Sequence, residues 1–355
     1  MFSWCKSLTR ISVDERSTTY ASAGGCLYTK DMKTLVFVPF AYQGRAFEVI
    51  DGVTSIGEKA FASCKSIRSI VLSDSVTSIG EYAFSTCHDL QSISIPSSVT
   101  SIGKGAFAGC ESLQFIILPD GVTSIGNRAF YRCHSLQSIT IPPGVESIGE
   151  KAFEDCKSLR SIVLSDSVTS IGEYAFWACH DLQSISIPSS VTTIGEGAFA
   201  GCESLRQISV DERSATYASA GGCLYTKDMK TLLRVPPGYE GEAFEVTKGI
   251  TSIGDRAFYG CHSLQSIIIP SSVTTIGEEV FSDCKSLKTV KTSLKGPARE
   301  MLRKKVQGWR TDGSYYPTAE AADIETCVEL WKRIGGFRYL NGRPSWGQGG
   351  WVARR

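Results

Sequence analysis

One phrase, Ser-Ile-Gly or Thr-Ile-Gly, recurs at an unbroken spacing of 23 residues, with its isoleucine at Ile56, Ile79, Ile102, Ile125, Ile148, Ile171 and Ile194, and again at Ile253 and Ile276. A fixed period of this size marks a solenoid, in which each unit buries its apolar face only against its neighbours. Such a chain offers a long surface and no pocket. At 355 residues it has the length of two or three ordinary domains, but the repeat makes most of it one elongated body.

Written from Cys87, the unit is Cys-x-x-Leu-x-x-Ile-x-Ile-Pro-x-x-Val-Thr-x-Ile-Gly-x-x-Ala-Phe-x-x-Cys. Leu90 to Ile95 alternates apolar and polar residues with β-branched isoleucines, which predicts a short strand with one buried and one exposed face. Pro96 closes it. Gly103 and its equivalents stand where the chain turns, so a positive φ is expected of them. Ala106 and Phe107 are expected in a short helical or 3₁₀ turn. Stacked coils then carry ladders of Leu, Ile, Val, Phe and Cys through one core, with the strands paired in parallel.

Two longer modules interrupt the period. Residues 12–35 and 209–232 match at 23 of 24 positions, and in each a Gly-Gly pair precedes Cys-Leu-Tyr-Thr, Lys-Asp-Met-Lys and Thr-Leu, the pattern of strand, turn and strand. The modules span about 12–50 and 209–247 and read as spacers that alter curvature. A second duplication lies over the first: residues 58–113 match residues 150–205 at 49 of 56 positions, a shift of four units. Phe2, Cys5, Leu8, Ile11 and Val13 match the second half of a unit, so the sequence starts inside one, and no signal segment is visible before it.

These motifs, Val-Thr-x-Ile-Gly, Ala-Phe and the recurring cysteine above all, resemble the BspA-like leucine-rich repeats, also described from treponemal repeat proteins. The resemblance covers residues 2–292. It implies an α/β solenoid: a curved, right-handed leucine-rich-repeat horseshoe of short parallel strands carrying two hairpin-bearing modules. It also implies a non-enzymatic surface or secreted protein that adheres to other proteins or cells. Absence of a signal in this sequence keeps an intracellular place open.

Thirteen cysteines raise disulfide and zinc chemistry. Ten of them share one repeat position, so stacked coils set them about 5 Å apart in a column of small buried hydrophobes. Disulfides between coils need inward side chains to turn toward each other. His88, His134, His180 and His262 each follow a ladder cysteine and point the other way, which does not converge on a tetrahedral metal. No metal or cofactor site is expected. No serine has a histidine and carboxylate at a catalytic spacing, and Asp14-Glu15-Arg16 and Asp211-Glu212-Arg213 read as solvated turn charges.

Binding is therefore expected on the outward strand positions. One row is Arg68, Gln91, Gln114, Gln137, Arg160, Gln183 and Arg206, and beside it Phe115 and Ile117 break a run of small hydroxyls as an outward apolar pair. Residues 293–355 lie outside the repeat. A helix opening at Pro297 with Ala298, Met301, Leu302 and Val306 on one face, and a stronger amphipathic stripe at Ile324, Cys327, Val328, Trp331 and Ile334, predict a helical cap over the open end of the solenoid. Residues 296–355 hold 11 Lys and Arg against 6 Asp and Glu, and Trp346, Trp351, Arg354 and Arg355 form a basic aromatic end that can dock a protein. The leading expectation is a protein-binding platform; the alternative is a scaffold subunit of an intracellular assembly held through this tail. The net charge of +1 calls for neither nucleic acid nor membrane.

Overall fold

The computed structural model describes residues 5–292 together with 294, 300 and 302. Backbone hydrogen bonds run from coil to coil on every side. On the first side the Ser-Ile or Thr-Ile pairs form two-residue parallel strands in strict register, Ile79 opposite Ile56 and Ile102 opposite Ile79. Eight such rungs, from Thr34–Phe37 to Thr193–Ile194, form one sheet and three more, from Thr231–Arg234 to Thr275–Ile276, form another, eleven coils in all.

Each sheet begins with an antiparallel hairpin, Tyr20–Ala23 with Cys26–Thr29 and Tyr217–Ala220 with Cys223–Thr226. The two-residue turns are Gly24-Gly25 and Gly221-Gly222, all four with φ between 56° and 81°, the left-handed pair that matches strand twist. A second turn at Met32 (φ 60°) is held by Asp31, whose carboxylate accepts from the Thr29 hydroxyl and the Lys33 amide.

The opposite face carries the longer strands, Ala46–Glu48, Ser69–Val71 and Ser92–Ser94 in one sheet, then Ser138–Thr140 with Ser161–Val163, and Ser184–Ile187 with Gln207–Val210. Between these sheets the coil of Phe115 contributes a single bridge, Phe115 to Ser138. Beyond the second module Ala243–Glu245, Ser266–Ile269 and Thr289–Thr292 continue the face.

The third side, containing Ala-Phe, corrects the sequence reading. It is a string of turns; among the described residues only Glu300 and Leu302 are helical. The physical reason lies in the hydrogen bonds: the amides of Lys59, Phe61 and Ser63 donate to Glu81, Ala83 and Ser85 of the next coil, so they cannot close the i to i−4 bonds of a helix. This geometry needs two left-handed residues per coil. Lys59, Tyr82, Arg128, Lys151 and Tyr174 occupy one such row at φ of 53–58°, and Ser63, Thr86, Arg132, Asp155 and Ala178 the other at 55–63°. The α component of the expected α/β class is thus replaced by these turns, and the expected cap lies outside the described residues except for Leu302, which is buried in the last core cluster with Leu294.

The repeat glycines are also needed for a different reason than expected. None of the Ile-Gly glycines has a positive φ. All but Gly149 instead donate their amide to the previous coil, Gly80 to Ile56 and Gly103 to Ile79 for instance. A Cβ on Gly172 would lie 2.7 Å from the Glu150 nitrogen and the Gly149 carbonyl carbon, closer than real Cβ atoms come to backbone. The core fills the space these approaches define: Phe61, Phe84, Phe107, Phe130, Phe153, Phe176 and Phe199 stack with centroids 5.0–5.8 Å apart.

Two substitutions test this account. Gly172→Ala is expected to lower stability by about 2 kcal/mol or more, since backbone must move. Ala178→Gly, in the left-handed row, is expected to raise stability by about 0.5–1 kcal/mol, against the usual penalty for that exchange. Urea unfolding of both variants checks the pair, and a gain in the first or a loss in the second contradicts it.

Candidate functional site

The exposed strand face carries the outward row that the repeat pattern points to. Arg68, Gln91, Gln114, Arg160, Gln183 and Arg206 project to solvent along it and Gln137 is half-buried, with their backbones hydrogen-bonded coil to coil. Arg206 pairs with Glu240 of the second module at 2.6 Å, which ties that end of the row to the module. The pair singled out in the sequence is indeed outward: Phe115 is 55% and Ile117 84% exposed.

Sequence reasoning missed that Ile117 has company. Val71 and Val163 stand in the same outward row at 48% and 59% exposure, each two coils from Ile117, while Ser94 and Thr140 fill the positions between and Ser186 follows. Apolar side chains thus recur about every 10 Å along the array. The 46-residue spacing of Val71, Ile117 and Val163 was visible as a signal, but each valine sits in an unremarkable strand former sequence, Ser-Ile-Val-Leu. The Phe115 coil differs again, because its pairing on this face is a single bridge, to Ser138.

The thiols lie elsewhere, in the core. Cys64, Cys87, Cys110, Cys133, Cys156, Cys179, Cys202, Cys261 and Cys284 are buried and unpaired, as are the module thiols Cys26 and Cys223, while Cys5 is exposed. From Cys87 to Cys202 each thiol donates to the carbonyl of the phenylalanine one coil back, Cys133 to Phe107 at 3.2 Å for instance. Burial pushes the Cys87 and Cys202 thiols up to about 12, far from the reactive thiolate range.

Three of the histidines meet carboxylates of nearby coils, His134 with Asp155 at 3.0 Å, His88 with Glu111 at 3.6 Å and His262 with Asp283 at 3.7 Å and Glu203 at 3.8 Å. No group of three or more metal-ligating side chains occurs among the described residues. Arg213 forks onto Asp211 and holds its carboxyl down at about 2, as a turn charge. Trp346, Trp351, Arg354 and Arg355 lie outside the described residues.

The BspA type leucine rich repeat region matches residues 43–142, 123–230 and 240–296, well over half the sequence. The chain belongs to the BspA-type leucine-rich repeat family. A leucine-rich cell surface protein from Faecalibacterium prausnitzii A2-165 is 32% identical, with 78% of this chain and 77% of that one covered at a TM-score of 0.69. A leucine-rich repeat protein from Bacteroides ovatus ATCC 8483 is 28% identical over 80% and 77% of the two chains, with a TM-score of 0.59. The pneumococcal vaccine antigen PcpA, at 19% identity and a TM-score of 0.52 over 81% and 72%, shares the fold. A comparison with curated proteins gives no match. BspA-type repeats are typically protein-interaction or surface modules, and no helix among the described residues is long and apolar enough to cross a membrane.

The thiol column sets a pH dependence. Below the ordinary thiol value of 9.0 folded and unfolded chains both hold these protons and pH has no leverage. Above it the unfolded chain releases protons that the buried thiols keep, so stability falls as pH rises through 9 toward 12, by about 1.4 kcal/mol per unit for each such thiol. Denaturant midpoints measured from pH 7 to 11 are expected to hold level and then drop, and a Cys110→Ala, Cys133→Ala, Cys156→Ala variant is expected to drop less steeply.

Proposed function

We propose that this protein is a non-enzymatic, adhesin-like binding protein whose partner protein docks on the exposed strand face. The observation that carries this reading is the outward apolar row Val71, Ile117 and Val163 with Phe115 beside it, set among glutamines and arginines. Apolar anchors within a polar rim are the composition of a protein interface, and a flat, shallow track of this width is poorly shaped to enclose a small molecule. The cell-surface description of the Faecalibacterium relative supports a surface role. Arg68, Gln91, Gln114, Gln137, Arg160, Gln183 and Arg206 then serve as the polar rim that orients the partner.

Phe115 anchors this face for a second reason. Its coil makes one backbone bridge on this side, so the ring sits on a weakly paired coil and can adjust to a partner. The test is a double variant, Phe115→Ala with Ile117→Ser. A partner captured by cross-linking from intact neighbouring cells and then purified is expected to bind the variant more than tenfold more weakly by surface plasmon resonance, while thermal melting stays unchanged. Full affinity in the variant moves the site off the strand face.

A further inference from the structure

The second module breaks the molecule internally. The buried apolar residues divide there into two clusters: Leu224 closes the first, while its strand neighbours Cys223 and Tyr225 belong to the second. The parallel rungs stop as well, Thr193–Ile194 ending one sheet and Thr231–Arg234 resuming in another. In a repeat array each unit is stabilised by its neighbours, so this thinned junction, crossed by backbone bonds from Ile208 to Gly222 and from Gly238 to Leu205, is where two segments can uncouple.

Side chains from both segments cross this gap. Arg256 donates to the Tyr174 hydroxyl at 2.9 Å, across 82 residues, pairs with Glu196 and Glu279, and lies 5.7 Å over the Tyr174 ring. Trp177 packs on Tyr259 with centroids 5.3 Å apart. Beneath them the guanidinium of the buried Arg234 donates to the carbonyls of Phe199 on one side and of Arg256 and Tyr259 on the other. In doing so it takes the place at Phe199 that a thiol of the next coil takes in the regular ladder.

The internal duplications supply a reference that no other chain is needed for. At the positions equivalent to Trp177 and Glu196 the earlier block has Ser85 and Lys104, although the blocks match at 49 of 56 positions. After the first module the positions equivalent to Arg234, Arg256 and Tyr259 hold Phe37, Lys59 and Ala62. Apart from Tyr174, whose equivalent is Tyr82, the copies therefore differ at the side chains that meet across the gap, including a reversal of charge at Glu196 where it faces Arg256.

We infer that Trp177, Glu196, Arg256 and Tyr259, with Arg234 beneath them, form a splice that makes the segments on either side of the second module unfold as one unit. The test returns the four outer residues to those of the other copy: Trp177→Ser, Glu196→Lys, Arg256→Lys and Tyr259→Ala. Urea unfolding is followed by pulsed hydrogen exchange, reading peptides from 46–210 and 231–292 separately in the full chain. The unaltered protein is expected to show one midpoint for both segments, and the variant to show the second segment melting about 1 M urea earlier. Should the fourfold variant fail to fold, Glu196→Lys alone carries the same expectation with a smaller separation. Lys104→Glu, the reciprocal change away from the gap, is expected to leave one midpoint. Coincident midpoints in the variants, separate midpoints in the unaltered protein, or separation caused by Lys104→Glu would each overturn the splice.

Discussion

The hydrogen bond between one coil and the next is the constraint on which the rest of this molecule depends. On the rung side the glycine amide reaches back to the coil before it, and on the Ala-Phe side the amides reach forward to the coil after it. Both are backbone bonds of ordinary length, so they fix the rise at one strand spacing and leave no freedom for side chains to set it. Glycine at the Ile-Gly position, phenylalanine rings stacked near 5 Å and a cysteine small enough to hydrogen-bond one coil back all follow from that single distance.

Much of this was legible in the sequence, because a repeated buried position announces itself each time it returns. The parallel rungs, the inward Leu, Ile, Val, Phe and Cys and the two Gly-Gly hairpins could all be read that way. The glycines were recognised as necessary, but for a positive φ they do not have; sequence shows that a Cβ is unwelcome and not which atom it would strike. The left-handed rows were hidden for the opposite reason. Lysine, tyrosine, arginine, serine and alanine share them with glycines such as Gly105, Gly109, Gly197 and Gly201, so residue type signals the conformation in only some coils, and a helical turn was read where amides serve a neighbouring coil.

The candidate site was half legible. Alternation along a strand told which way Phe115 and Ile117 point, since period two assigns a face by counting. It did not single out Val71 and Val163, whose residue type suits a strand whichever way it faces. The contacts around Arg256 lay beyond any repeat argument: Arg256 and Tyr174 are 82 positions apart, no multiple of the 23-residue period, and come from opposite sides of the second module.

The same geometry governs how such a gene can change length. A coil inside an uninterrupted run presents the same two faces to its neighbours as any other, so recombination can add or remove whole coils there without new chemistry, and the near-identical blocks at 58–113 and 150–205 are what that history leaves behind. The gap at the second module follows another rule. Coils brought against it carry serine and lysine where tryptophan and glutamate are needed, so the boundary is inherited as a matched set and the array can lengthen freely only on either side of it.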